Sequence, residues 1–543
     1  MPIPQSHDGG LTLLDHAVII VYLLAMLTMG IVIARKQKST DDFFVAGRNM
    51  PAWAVGISIF ASLLSTITYL GMPGEMFRTG VSFLTRQLSV PLVLLVVWLL
   101  WIPFFMRLNL TSVYEYLERR FNYATRALAA VLCLMVVFGW IAVVVLTASR
   151  AMAEITNLDL RWFFGTNGQF PDADMHAIIL SIGAFSILYT TLGGIRAVVW
   201  TDVVQFFILM LGAILTMATV AWMTDSGVSD WIRVSQEYRH EEVEWFSWDL
   251  GNRSTVMFIS TGMFFWYICT HGANQVALQR YFTVAGIREA RRSYLINAIV
   301  GFLISLVLAG VGISLMYFLQ HAELPASAAL DSADIKLRND AQDNVFPQFI
   351  RIYLPSGLRG LVVAALFAAA MSTIDSGANS VSTVLTVDFF RRFAPQESTG
   401  KQELRRARTL TAAIGIIVVT TTVGLYHLSK GHDIITLCQR GFNCFLGPLG
   451  ALFVLAMFSR RATARSVIPA VLIGELVGVG TSYSQELFGF NYSTHLVIPG
   501  SWLATIVMAH LFAILLGTRA DEEARRWMWK PIVRGNPEHV EKR

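Results

Sequence analysis

Residues 361–390, LVVAALFAAAMSTIDSGANSVSTVLTVDFF, form an apolar stretch long enough to cross a membrane, with a row of hydroxyl groups set among alanines. On a helix that turns 100° per residue, spacings of three, four, seven and eleven place residues on one face. Five small or polar residues follow these spacings: Ala369, Ser372, Thr373, Ser376 and Ser380. Asp375 lies at the border of this face. The pattern predicts a membrane helix whose polar face has a structural or functional role.

Two interpretations of this face remain open for the serines alone. Small residues let membrane helices pack closely, and serine or threonine can bond back to a carbonyl of the preceding turn. Asp375 favours the second interpretation, an ion pathway, because a carboxylate at mid-membrane costs about 2.5–3.5 kcal/mol. Hydroxyl and carboxylate oxygens suit a hard cation such as sodium better than a soft metal. The stretch therefore predicts a sodium site.

The composition is that of a protein with many membrane spans. Hydrophobic residues make up 55% of the 543 positions and charged residues only 15%. The four cysteines lie in apolar segments without the spacing of a metal site, which predicts buried thiols. The slight positive balance is what cytoplasmic loops require, so no nucleic acid partner is expected. The first ten residues lack the basic start of a cleavable signal peptide, so the first apolar segment is expected to remain as a span.

Apolar runs of roughly 18 residues or more predict about thirteen membrane helices. They lie near 11–35, 52–77, 84–106, 124–153, 175–193, 198–224, 253–281, 294–320, 356–389, 405–427, 433–458, 464–485 and 495–517. An odd number of spans places the termini on opposite sides of the membrane.

The loops predict the orientation, because cytoplasmic loops of membrane proteins are rich in lysine and arginine. Five basic loops alternate with weakly basic or acidic ones such as 225–252 and 321–345, and therefore fall on one side. Their cations are Arg35, Lys36, Lys38 and Arg48; Arg107, Arg119, Arg120 and Arg126; Arg280, Arg288, Arg291 and Arg292; Arg391, Arg392, Lys401, Arg405 and Arg406; and Arg460, Arg461 and Arg465. This predicts a multi-pass protein of the cell (plasma or inner) membrane with an outside N-terminus and a cytoplasmic C-terminus.

Two spans contain polar or helix-breaking residues that a simple anchor would not need. The second carries Ser62, Ser65, Thr66 and Thr68 followed by Gly71, Pro73 and Gly74, and the seventh carries THGANQ at 270–275. Broken helices in corresponding places of two halves mark the central site of a transporter. The spacing of five spans predicts two repeats, at 52–224 and 253–458, around an outside loop at 225–252. Residues 1–51 supply an outside N-terminus, a helix and a cytoplasmic loop, 459–517 two additional helices, and 518–543 a cytoplasmic tail.

At these residues the chain resembles the sodium/solute symporter family, which includes transporters of sugars, proline, sialic acid, iodide, monocarboxylates and vitamins. The resemblance covers roughly residues 40–516. Six segments in order support it: DDFFVAGRNMPAWAVGIS, TYLGMPGEMFRTG, TSVYEYLERRF, LYTTLGGIRAVVWTDVVQ, the NQ of NQVALQR, and AAAMSTIDSGANSVSTVLTVDFF. It implies an all-α membrane fold of the LeuT type, with a five-plus-five inverted repeat.

The resemblance also implies a sodium site between the second span and the hydroxyl helix. Its ligands would be the carbonyls of Ala61, Leu64 and Ala369 and the hydroxyls of Ser372 and Thr373. Some relatives hold a second sodium close by, which here corresponds to Asp202, Asp375 and Ser376, although relatives with a second ion often have serine in place of Asp375. Asp202 has a second interpretation as a helix cap, because it lies near the start of a predicted span.

The resemblance implies a solute pocket at Thr68, Tyr69, Gln87, Tyr267, Thr270, His271 and Gln439. The segment TYLGMPGEMFRTG resembles the monocarboxylate, iodide and vitamin branch more than the sugar branch. Thr270 also stands where a sugar transporter of the family has a gating tyrosine. Arg86 could pair with a substrate carboxylate, or its head group could reach the outer interface. We therefore predict a monocarboxylate or another small organic anion, with a sugar or polyol as the alternative.

Together these features predict a secondary active symporter that imports a small solute with sodium by alternating access. The expected partners are the solute, sodium and the lipid bilayer, and sodium is the only ion implied. A membrane enzyme would need a clustered acid or metal motif, which the sequence does not display. A sensor would need a cytoplasmic domain longer than the tail after Thr518. The sequence does not fix the solute, the number of sodium ions or the oligomeric state.

Overall fold

A computed structural model describes residues 10–35, 40–156, 172–238, 244–252, 255–321, 342–393, 400–429 and 434–535. Within these ranges the chain forms helices and no strands, which confirms the predicted all-helical class. Several expectations fall on segments outside the described residues: the N-terminal 1–9, Lys36 and Lys38 of the first loop, 239–243 and 322–341 of the two predicted outside loops, and 536–543 of the tail.

The main helices follow the predicted spans closely. In chain order they are α1 (Leu13–Ala34), α2 (Ala52–Leu63), α3 (Thr66–Thr79), α4 (Phe83–Phe105), α5 (Tyr123–Thr156), α6 (Ala173–Thr224), α7 (Val256–Ala273), α8 (Gln275–Tyr281), α9 (Ile287–His321), α10 (Leu358–Phe390), α11 (Gly400–Leu428), α12 (Thr436–Phe458), α13 (Ala464–Ser482) and α14 (Val497–Leu515). Short helices lie at Thr40–Val45, Glu115–Arg120, Val228–Tyr238, Gln342–Tyr353, Ser484–Phe488, Glu522–Arg526 and Trp529–Arg534.

Among the described residues, ten helices are long and apolar enough to cross a membrane, or eleven if α2 and α3 form one bent span. The first half of α6, Ala173–Leu188, is apolar but shorter. The chain is therefore a multi-pass membrane protein with about ten apolar helices. The predicted number of thirteen is not confirmed.

Three breaks shape the helices near the centre. The chain bends by 67° between α2 and α3, where Leu64 has an extended backbone (φ −81°, ψ 99°). A second break lies between α7 and α8 at Asn274, whose side chain accepts a hydrogen bond from the backbone N–H of Val276 at 2.9 Å. The third divides α6 at Gly194, which has a φ of 54° that only glycine adopts readily.

The first break falls within the second predicted span. The sequence named both the Ser62–Thr68 hydroxyl residues and the Gly71–Pro73–Gly74 region of this span, and Pro73 lies inside the continuous helix α3. Membrane helices tolerate proline where neighbouring groups satisfy the freed carbonyl. The break falls at Leu64, among the serine and threonine residues and not at the proline.

The hydroxyl helix α10 lies at the centre of the fold. In the most apolar 18-residue stretch of α10, 89% of the residues are buried, compared with 22% in that of α1 and 33% in those of α13 and α14. Helices α1, α5, α6 and α11 pack around it. Most of the central helix is therefore covered by other helices, and its polar residues meet polar groups of its neighbours.

The basic residues used to predict the orientation do not all lie in exposed loops. The side chain of Arg280 is fully buried, and Arg120 is 2% exposed and donates to the carbonyls of Ala456 and Ser459. Counting Arg280 as a loop cation was wrong, because it lies in the buried helix α8. Arg120 does lie between α4 and α5, but its side chain is held by partners inside the protein. All four cysteines are buried and free, as predicted.

Candidate functional site

The polar face of α10 meets the break between α2 and α3. The Ser372 hydroxyl donates to the carbonyl of Ala61 at 3.2 Å and to that of Ala369 at 3.1 Å. The Thr373 hydroxyl donates to the same Ala369 carbonyl at 3.2 Å. All three residues of α10 and Ala61 are fully buried. The structure thus brings together four of the five residues predicted to bind sodium.

Leu64, the fifth predicted sodium ligand, directly follows the last residue of α2 and is 2% exposed. The last four carbonyls of a helix have no partner in the next turn, so the break leaves carbonyl oxygens available beside the hydroxyls. Carbonyl and hydroxyl oxygens are the ligands that hard cations prefer. This arrangement can therefore hold a small cation between α2 and α10 without a carboxylate as a direct ligand.

A buried ion pair lies one turn further along α10. One carboxylate oxygen of Asp202 accepts from Ser58 at 2.6 Å, from Ser62 at 3.1 Å and from Arg280 at 3.2 Å. The guanidinium of Arg280 also donates to Ser58 at 2.9 Å and to Ser376 at 2.6 Å. The pair connects α2, α6, α8 and α10, all at positions with no exposed surface.

Asp202 and Ser376, two residues of the candidate second ion site, therefore meet at Arg280. Asp202 does not cap a helix, since it lies within the second half of α6, which begins at Gly194. Asp375, the third residue, accepts a hydrogen bond from the Thr190 hydroxyl of the first half of α6. It lies beside the same ion-pair cluster along α10 but contacts a different part of α6.

Sequence reasoning missed the role of Arg280. It was treated as a loop cation although it falls within the predicted span 253–281, and an arginine inside a span usually has a partner in the protein. That position was the available signal. Its partners lie 78 and 222 residues away in the chain, at Asp202 and Ser58, so local periodicity could not identify them.

A cavity of about 240 Å³ lies beside the α2–α3 break. Four of the seven predicted solute-binding residues line it: Thr68, Gln87, Tyr267 and Gln439. Further polar residues of its lining are Ser65, Glu75, Arg86, Asn297, Ser305, Asn443, Thr494 and His495. The break beside the hydroxyl face of α10 therefore also forms one wall of the cavity, since Leu64 and Ser65 belong to both the break and the cavity lining.

The other three predicted residues lie behind the cavity wall. The ring of Tyr69 is fully buried and packs 5.7 Å from that of Phe346. His271 bonds the Tyr281 hydroxyl through Nδ1 at 2.9 Å, and its ring stacks 6.2 Å from that of Tyr267. Thr270 is 2% exposed. His271 is thus positioned to support the cavity-lining Tyr267, whereas direct solute contact is not available to it in this conformation.

No sequence pattern predicted that the start of α14 and the residues just before it would reach the cavity. Thr494, His495 and Ile498 line it, although they lie in the region predicted to be additional to the repeats. The close approach depends on Gly262 of α7, where a Cβ atom would lie 2.5 Å from the His495 carbonyl oxygen. A side chain at Gly262 would therefore displace this segment from the cavity.

Comparison with known proteins supports a transport function. The sodium/sialic acid symporter NanT of Aliivibrio fischeri is 32% identical over 91% of this chain and 92% of its own length. The sodium/sialic acid symporter SiaT of Proteus mirabilis is 30% identical over 94% of this chain and 97% of its own. A solved structure of a Na⁺-coupled sialic acid symporter, in a substrate-bound outward-open state, has 26% identity and a TM-score of 0.78, covering 94% of this chain and 99% of that chain.

The pattern of the sodium:solute symporter family matches residues 43–474, which include the α2–α3 break, Asp202, Arg280 and the hydroxyl face of α10. The relatives named above are sodium-coupled transporters and not enzymes. The helical membrane fold, the break beside the hydroxyl helix and these matches agree with one another. The chain belongs to the sodium:solute symporter family.

Proposed function

We propose that this sodium-coupled symporter imports a small organic anion by alternating access, and that the solute's carboxylate binds Arg86. The Arg86 side chain lines the cavity beside Gln87. Its Nε is buried without a hydrogen-bond partner, and the guanidinium lies 5.1 Å from the centre of the Phe83 ring. A buried guanidinium donor that faces a cavity is suited to a planar carboxylate, which it can bind through two hydrogen bonds.

The rest of the lining favours an anion that also carries hydroxyl groups. Amide side chains of Gln87, Asn297, Gln439 and Asn443 line the same cavity, and the side-chain oxygens of Gln439 and Asn443 are buried without hydrogen-bond partners. Such acceptors bind hydroxyl or amide donors of a ligand. A carboxylated sugar derivative fits this set better than a short monocarboxylate does, and the two relatives at 30% and 32% identity are named sialic acid symporters.

The sodium ligands in this proposal are the carbonyls of Ala61, Leu64 and Ala369 and the hydroxyls of Ser372 and Thr373. Sodium replaces the hydrogen bonds by which Ser372 now joins α10 to the end of α2. An ion held by both helices favours the conformation in which the α2–α3 break is closed against α10. Because Leu64 also lines the cavity, sodium binding and solute binding stabilise the same arrangement, which is the basis of coupling.

A second sodium at Asp202, Asp375 and Ser376 would compete with Arg280, whose guanidinium already bonds Asp202 and Ser376. We propose that sodium leaves toward the cytoplasm along these oxygens and exchanges with the guanidinium as it passes. Asp375 adds a carboxylate on the side of α10 that faces Thr190.

The same proposal includes the inverted repeat and the orientation. The repeats are 52–224 and 253–458, and the breaks at Leu64 and Asn274 lie in the first span of each. The N-terminus is outside and the C-terminus is cytoplasmic. The proposed rocking movement involves the helices on either side of these two breaks.

Uptake into proteoliposomes tests the solute class. With an inward sodium gradient, a carboxylated sugar should compete with the transported solute for uptake, and its neutral analogue should not. Loss of a hydrogen bond to a charged group costs about 1.5–3 kcal/mol, so Arg86→Gln should lower kcat/KM for the anion about 10- to 150-fold.

The control is Arg291→Gln, which removes another arginine that lies over an aromatic ring, 5.7 Å from the centre of Trp98, but does not line the cavity. Equal uptake of the anion by the Arg86 variant and this control would contradict the proposed binding of the carboxylate to Arg86. Preferential uptake of the neutral analogue would favour a sugar or polyol instead.

A further inference from the structure

Two histidines meet at one end of the fold, away from the cavity. His176 lies in the first turn of α6, and His427 lies in the last turn of α11. Their Nε2 atoms are 3.2 Å apart and their ring centres 5.2 Å apart. His427 is exposed, so the pair is open to solvent. The predicted topology places both helix ends on the outside of the membrane.

This separation matches the geometry of two imidazole ligands on one metal ion. Zinc binds histidine nitrogen at about 2.0–2.1 Å in tetrahedral sites, which places two such nitrogens about 3.3–3.4 Å apart. An ion can therefore bind between the two rings with a movement of a few tenths of an ångström. Imidazole ligands favour zinc, copper and nickel over calcium or magnesium, which prefer oxygen.

Tyr426 packs beside both histidines and is itself bonded to Asp172. Asp172 lies one helical turn before His176 and accepts a hydrogen bond from the Tyr426 hydroxyl at 2.8 Å. The Tyr426 ring is 5.1 Å from the His427 ring and 6.0 Å from the His176 ring. The Tyr426 ring thus helps to hold the two imidazoles beside each other.

We propose that His176 and His427 form a binding site for a divalent transition metal ion of the zinc class, which ties the start of α6 to the end of α11. In the described part of the chain no group of three His, Cys, Asp or Glu side chains converges on a common point. Water therefore supplies the remaining ligands. Thr190, which bonds Asp375, lies fourteen residues along α6 from His176, or roughly 21 Å at 1.5 Å per residue. The metal site is thus separate from the proposed sodium path.

Zinc titration of the full chain, purified without an affinity tag, tests the site. The wild-type protein should bind zinc saturably, and magnesium at the same concentration should have no effect. His176→Ala and His427→Ala should each lower zinc affinity by about tenfold or more, because even loss of an outer-shell partner costs about 10- to 100-fold. His321→Ala, which removes an exposed histidine at the end of α9, is the matched control and should bind zinc as the wild type does.

Copper(II) electron paramagnetic resonance provides a second readout, with coupling to two nitrogens expected in the wild type and to one in either variant. Because His427 is exposed, its replacement is expected to leave the fold intact even if that of His176 does not. The proposal is overturned if the wild type binds no zinc saturably, or if His427→Ala retains the wild-type affinity. In either case the two rings form only an imidazole–imidazole hydrogen bond.

Discussion

Replacing Ser372 with alanine removes one proposed sodium ligand and little else. The Ser372 hydroxyl donates to carbonyls of Ala61 and Ala369 at 3.2 and 3.1 Å, so it lies where α10 faces the end of α2. Alanine keeps the small volume and the helix propensity of the position. We therefore expect the folded protein to persist while its affinity for sodium falls.

The expected size of the loss in sodium affinity follows from the removal of one oxygen that binds the charged ion. Interactions of a hydroxyl with a charged group contribute about 1.5–3 kcal/mol, and each 1.4 kcal/mol changes an equilibrium constant about tenfold. The sodium concentration for half-maximal uptake should therefore rise about 10- to 150-fold. The maximal rate at saturating sodium should change much less.

The assay is initial uptake into proteoliposomes over a range of external sodium at constant ionic strength. Ser382→Ala is the matched control, because Ser382 is a fully buried serine of the same helix whose hydroxyl donates to the Ala407 carbonyl at 3.3 Å, away from the break. The control should keep the wild-type sodium dependence. If Ser372→Ala has the same half-maximal sodium concentration as Ser382→Ala, the ligand assignment is wrong.

Two further predictions concern buried ion pairs. Asp202→Asn leaves the buried guanidinium of Arg280 without a counter-charge, which should lower the free energy of unfolding by about 3–5 kcal/mol. Adding Arg280→Gln should recover part of this loss in denaturant titrations. Strictly additive losses of the two substitutions would argue against the pairing. Asp15 accepts from the backbone N–H groups of Gly357 and Gly360 at the start of α10 at 2.7 and 2.8 Å and pairs with Arg359 at 3.3 Å. Asp15→Ala should lower the thermal unfolding temperature markedly, whereas His16→Ala, at the exposed neighbouring position, should not. Equal unfolding temperatures of the two variants would contradict the role of Asp15 in anchoring the start of α10.

Local sequence patterns predicted much of the fold and part of the site. Helix periodicity alone placed Ser372 and Thr373 on one face, and that face meets the break in the structure. The existence of a break near Ser65 was also predictable, because a membrane helix rich in hydroxyl groups needs an enclosed partner surface. Pro73, the helix-breaking residue of the same span, lies within a continuous helix.

Long-range contacts account for what the sequence did not predict. Arg280 falls within the predicted span 253–281, but only the fold shows that its partner is Asp202, at 3.2 Å. Likewise, His495 reaches the cavity because Gly262 permits a close approach between distant segments. The predicted solute residues Tyr69 and His271 share sequence neighbourhoods with cavity residues, but side chains adjacent on a helix point in different directions.

The most direct test of the central claim is the accumulation ratio of the solute in proteoliposomes held at zero membrane potential. A tenfold inward sodium gradient contributes about 1.4 kcal/mol per ion, so coupling to one sodium should concentrate the solute about tenfold inside and coupling to two about a hundredfold. Collapsing the gradient with a sodium ionophore should return the ratio to one. A ratio that stays at one under the intact gradient, while the solute still enters, would contradict sodium-coupled symport.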